Sequence, residues 1–172
     1  MRHRVKDFVE VSGECNADQL PVLEEDSNWQ EISVPETLEI PAAKPDISNL
    51  LEVIIGAEVI SYRIINTPRA ATQQGIALDA VNFEGEISTG KKLIVEGVIK
   101  QKVIYVGKRR SQSLHAAHFA YPFSTYIIIP AVTPLDAEFQ IDVFVEDLYI
   151  QSFSPRKIFK NVTLFLNARR VD

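Results

Sequence analysis

The sequence is short of the residues that small proteins use as fasteners and catalysts. Cys15 is its one cysteine, so no disulfide can close within the chain, and Cys15 is a candidate only for a crosslink to another chain. Glycine occurs seven times, never as GxGxxG or GxxxxGK[ST], which removes the loops that cradle nucleotide phosphates. The nucleophile elbow GxSxG, HExxH and paired CxxC spacings are also missing. No apolar run approaches the roughly 20 residues of a membrane helix, so no membrane span is expected. The start MRHRVKDFVEV has charges where a secretion signal needs an apolar block, which predicts synthesis in the cytoplasm without a signal peptide. Positive charge is scarce too. The net charge is −5, the longest basic run is Lys108-Arg109-Arg110, with Arg169-Arg170 near the end, and nucleic acid is not an expected partner.

Strand-forming residues are plentiful. In the stretch Gly90 to Val106, GKKLIVEGVIKQKVIYV, the odd positions hold Leu93, Val95, Gly97, Ile99, Gln101, Val103 and Tyr105, while the even ones admit Glu96, Lys100 and Lys102. That is the two-residue period of a half-buried strand, and its length predicts a bend at Gly97. Residues 29–40 alternate likewise, and Pro35, which lacks an N–H, assigns them to an edge or a bulge. Pro41 to Val53 carries the one helix signal, Asp46 as N-cap and one or two turns through Ile47, Leu50 and Leu51. From Glu52 to Asn66 both faces are apolar, which predicts an interior strand. A weaker strand falls within Gln73 to Ile87, and further strands within Phe119–Ile129, Phe139–Ile150 and Ile158–Ala168, the second with Phe139, Ile141, Val143, Val145 and Tyr149 inward. The sum is an all-β protein, an antiparallel β-sandwich of about six to eight strands with one short helix; a closed barrel is the alternative.

Residues 1–28 read as an arm and linker ahead of a domain at 29–172. Val5 to Val11 alternate well enough for a short strand, and Ser12 to Asn28 is acidic and broken by Pro21. A strand set apart from its domain is a candidate for pairing with the sheet edge of a neighbouring subunit, with Val5, Phe8, Val9 and Val11 as the contacting side chains.

The chemistry-bearing residues fall short of a site. His115 and His118 form HAAH, which puts them on opposite faces of a strand with no third ligand near. Asp142, Glu146 and Asp147 read as a solvated face, and Lys108 to Arg110 as a hairpin tip. No catalytic, cofactor-binding or metal residue is assigned, and no cofactor is expected.

Three blocks, WQEISVPETLEIPAAKPDISNLLEV, GKKLIVEGVIKQKVIYV and SLHAAHFAYPFSTYIIIP with its downstream EFQIDVFVEDLYI, resemble in order and spacing the SPOCS domain of endospore-forming Firmicutes, over about Trp29 to Ala168. The most specific parts are Pro41 to Ile47, Glu96-Gly97 with Tyr105, and Tyr121-Pro122-Phe123. The resemblance implies a non-enzymatic spore coat or exosporium protein, made in the mother-cell cytoplasm and deposited on the spore surface. The chain ends at Asp172 after one such region, so a single-domain member without a LysM module is expected. Combined with the arm, it implies a structural protein that self-assembles from identical copies into a layer or fibre, with other coat proteins as further partners. The alternative is a module that binds another coat protein or a carbohydrate, for which Trp29, Tyr62, Tyr121 and Tyr126 could stack on sugar rings.

Overall fold

The alternating segments become strands throughout. The computed structural model describes residues 9–24, 27–69, 80–81 and 87–171, and among these no helix forms. In chain order the strands are β1 (Glu10–Ser12), β2 (Asn28–Glu39), β3 (Ile47–Asn66), β4 (Ala80–Val81), β5 (Ile87–Ser88), β6 (Lys91–Gly107), β7 (Leu114–Ile128), β8 (Phe139–Ser152) and β9 (Lys157–Arg170). Seven make two sheets, ordered β1-β3-β6-β7 and β2-β9-β8, while β4 and β5 pair only with each other. Most of the weak strand signal between Gln73 and Ile87 lies outside the described residues.

Strand β6 is the centre of the larger sheet because its inward positions are apolar along its whole length. Leu93, Val95, Ile99, Val103 and Tyr105 are fully buried, and β3 and β7 flank the strand in antiparallel register. Gly97 serves packing there. Its backbone pairs with Val59 on one side and Phe123 on the other, and a Cβ would run into the Phe123 ring and the Glu58 carbonyl. The irregularity sits in the neighbour, where β3 carries one extra residue between Val59 and Ser61 opposite Gly97.

The smaller sheet covers the inward face of the larger one, with β8 over β3 and β2 over β7. Leu50, Val53, Ile55, Phe123 and Ile127 from one sheet share a single core with Leu38, Leu148, Val162, Leu164 and Leu166 from the other. This is the two-layer arrangement that alternation at period two produces when one face of each sheet is apolar. Every pairing among these seven strands is antiparallel except β1 with β3, which is parallel.

Three expectations are corrected. The helix at Asp46 to Leu51 is the start of β3. Register shifts between Ile47 and Asn49 and between Leu50 and Glu52 insert extra residues, so the inward positions fall at Ile47, Leu50 and Val53, a spacing of three that imitates a helical face. Second, β3 is no interior strand. Among the described residues only the three of β1 pair beyond it, and Ile54 and Ile60 are exposed. Third, Tyr149 points away from the core. A shift between Val145 and Asp147 inverts the parity of β8, so Leu148 is buried while Tyr149 packs against Phe159 on the outer face.

Candidate assembly interface

The Pro41 to Ile47 run crosses from β2 in one sheet to β3 in the other, and one side chain holds it. Arg156, in the turn between β8 and β9, donates through Nη1 to the Lys44 carbonyl (3.2 Å) and the Asp46 carboxylate (2.6 Å), and through Nη2 to the carbonyls of Ile40 (3.0 Å) and Pro41 (2.7 Å). The planar fork suits four acceptors arrayed around one bend. Main-chain bonds complete the junction. Ile40 donates to the Arg156 carbonyl, Ile47 to that of Pro155, and the buried Tyr105 hydroxyl to that of Pro45 (3.1 Å). Two of the motifs noted in the sequence, Pro41 to Ile47 and Tyr105, therefore meet in a structural joint.

The strand edges are the surfaces open to another chain, and the two sides of the molecule treat them differently. On one side lie the outer edges of β2 and β7, carrying Pro35 and Pro122 within uninterrupted ladders. A proline in such a ladder turns its nitrogen to the free edge and leaves an incoming strand without a donor. The other side is formed by β3 and β8, which contain no proline. The arm lies here. β1 pairs with Glu52–Ile54 of β3, and Val9 and Val11 pack against the core. Gly13, at φ 109°, then turns the chain off that edge, its Cα so close to the Ile55 carbonyl that no side chain fits. The arm crosses to β8, where the register shift leaves groups for it to use: Cys15 N–H donates to the Val145 carbonyl (2.8 Å), and the Glu14 carboxylate accepts from Leu148 N–H (2.8 Å).

Of the residues singled out in the arm, Val9 and Val11 sit on β3's side of the core, whereas Val5 and Phe8 lie outside the described residues. Val9 also lines a groove of about 400 Å³, shared with Ile47, Leu50, Ile150 and Phe153. Cys15 is half-buried; burial, with Glu146 and Glu14 nearby, pushes its thiol pKa up, so the reactive thiolate is scarce at neutral pH.

The remaining candidates are scattered. His115 shares a 3.0 Å hydrogen bond with Ser113 and lies beside Tyr105, while His118 is exposed on the opposite face of β7; among the described residues no three ligating side chains cluster. Lys108 to Arg110 form the tip between β6 and β7. Trp29 stacks on Phe165 outside the smaller sheet, and Tyr126 lies under Lys92 outside the larger. Tyr62 packs edge-on to Phe139, and Tyr121 stands at the β7 edge near Lys160. The four aromatics do not form one platform.

The alternation puts Glu36, Lys160 and Gln101 at inward positions without saying what they meet there. Lys160 of β9 and its cross-strand neighbour Glu36 of β2 are buried on the inward face of the smaller sheet and form a 2.6 Å ion pair, the only polar contact of either group among the described residues. Burial raises the Glu36 pKa and lowers that of Lys160, and the contact between them opposes both shifts. Gln101 is likewise buried on β6, with neither amide atom hydrogen-bonded to a described residue. The role of Glu14 on β8 was equally hidden, since only the folded chain brings residue 14 to residue 148.

No curated protein and no solved structure matches the chain. One family model does, described as SipL, SPOCS domain, over residues 46–152. The match begins at the Asp46 that Arg156 holds, takes in β3, β6 and β7 entire, and ends with β8. With the larger sheet except β1, and more than half of the chain, covered by that model, the protein belongs to the SPOCS-domain family.

Proposed function

We propose that the protein is a non-enzymatic structural component of the endospore envelope, in the coat, the exosporium or a surface fibre, which assembles by passing its arm to the next subunit. The family supplies the coarser half of this reading, a sporulation-related role in a spore-associated protein. The arm supports the finer half. β1 holds β3 through three residues, in the one parallel pairing of the two sheets, and the acidic segment after Cys15 connects it to β2. The contacts that the described part of the arm makes within its own chain, β1 on β3, Val9 and Val11 on the core, Cys15 on Val145 and Glu14 on Leu148, could be made equally by the arm of a neighbour. Exchange then needs no new interface, and a head-to-tail exchange propagates into a ring or filament.

Electron microscopy of the purified full chain, compared with a variant lacking residues 1–15, tests this. Ordered assemblies from the full chain and dispersed particles from the shortened one are expected. A full chain that stays dispersed at high concentration, or assemblies indifferent to the deletion, would sink the reading.

A further inference from the structure

The arm leaves most of β3's outer edge uncovered. β1 reaches Ile54, Gly13 turns the chain away at Ile55, and from Gly56 to Asn66 no strand lies against that edge among the described residues. A long, proline-free edge is a template for another strand. This one also exposes apolar side chains, Ile60 at 67% and Tyr62 at 38%.

The chemistry of the edge indicates its occupant. We propose that Gly56–Ile65 pairs with the same segment of a second copy, antiparallel, about a two-fold axis between Ile60 and Ser61. In that register Glu58 stands opposite Arg63 of the second copy, Val59 opposite Tyr62, and Ala57 opposite Ile64. The faces agree. Within one chain Glu58 and Arg63 pair with Val98 and Ile94 on the outer side of β6, whereas Ala57, Val59, Tyr62 and Ile64 pair with the inward positions Ile99, Gly97, Val95 and Leu93. The extra residue between Val59 and Ser61 makes this agreement possible, because it shifts parity midway along the segment and both copies carry it at the axis.

The charges extend the match. Lys100 contacts Glu58, and Arg63 lies 3.6 Å from Glu96, all on the outer face. Across the paired edges the row runs Lys100, Glu58, then Arg63 and Glu96 of the second copy, with every neighbour of opposite sign. Directly opposed unlike charges favour a cross-strand register and like charges oppose it. The joined sheet runs β7-β6-β3-β3-β6-β7, a closed isologous contact distinct from the arm's open-ended one. The proposal therefore stands even if the arm exchanges nothing.

Charge reversal on the full chain tests it, with association followed by analytical ultracentrifugation and folding by circular dichroism. The unmodified chain is expected to form a dimer that survives removal of residues 1–8. E58R places arginine against arginine at both ends of the interface, and R63E places glutamate against glutamate. Each variant alone should dimerise about tenfold more weakly, from the combined effect of two opposed pairs. Mixed in equal amounts, the two variants place arginine against glutamate at both ends and should recover dimers to within about threefold of the unmodified chain. A chain that is monomeric throughout, variants that dimerise normally alone, or a folded mixture that recovers nothing overturns the proposal. A dimer lost on removing residues 1–8 but indifferent to both reversals overturns it as well, and leaves the arm reading standing.

Discussion

Lys160 and Glu36 are the residues on which the core is least like a hydrocarbon. A buried ion pair gains little over apolar side chains of similar volume, yet breaking it strands a charge, at a typical cost of about 3–5 kcal/mol. Lys160→Met is therefore expected to destabilise the fold by about that amount in urea denaturation, and Glu36→Met with Lys160→Met to return it to near or above the original stability. The pH dependence has a definite sign. The raised pKa of Glu36 means the folded state holds its proton more readily than the unfolded chain, so this group's contribution falls as pH rises from its ordinary value through the raised one. Removing the ammonium raises that pKa further, so Lys160→Met should lose stability, relative to the unmodified chain, as pH rises through the range above the ordinary carboxylate pKa. A flat difference across that range would show that Glu36 does not carry the charge.

At the scale of elements, the turn holding Arg156 and the crossover Pro41 to Ile47 act as one unit. Arg156 satisfies three carbonyls and a carboxylate where the chain leaves one sheet for the other, and its side chain keeps about a third of its surface in water. Hydrogen bonds from a charged donor are worth about 1.5–3 kcal/mol each when well formed, and solvent screening reduces that here. Arg156→Ala should cost about 2–3 kcal/mol in all, and Arg156→Lys should recover less than half, because an ammonium cannot span the acceptors that the guanidinium fork reaches. Equilibrium denaturation of both variants checks it, and full recovery by lysine would refute the fork as the cause. The register shifts act at this scale too. Those at the start of β3 give Ile47, Leu50 and Val53 their helix-like spacing, and the one in β8 turns Tyr149 outward and leaves Val145 and Leu148 to receive the arm.

For the whole molecule, the decisive property is that its two sides are unequal. Pro35 and Pro122 blunt the edges of β2 and β7, while the β3 and β8 side is left to the arm and, on our proposal, to a second copy. Pro35→Thr with Pro122→Thr should raise the rate of disordered aggregation measured by light scattering, while changing folding stability by less than about 1 kcal/mol. If the double variant scatters no more than the parent, the prolines do not guard that side.

The strands themselves were legible because their signal is local. Leu93 to Tyr105, Ile32 to Ile40 and Val162 to Leu166 alternate within a single segment, and any chain that buries one face of such a segment must make it a strand. The family was legible for a related reason, since its motifs are contiguous runs. What the alternation could not carry was decided by pairing across the fold. A register shift is a property of two strands, so the inward turn of Leu50 and the outward turn of Tyr149 appear only once β6 and β9 lie alongside. An edge exists only when the strand order is known, which is why the apolar faces of β3 read as burial in sequence and are an open margin in the molecule. The alternation of β9 places Lys160 inward, but only the pairing with β2 gives it Glu36 as a partner, a neighbour more than a hundred residues away in the chain.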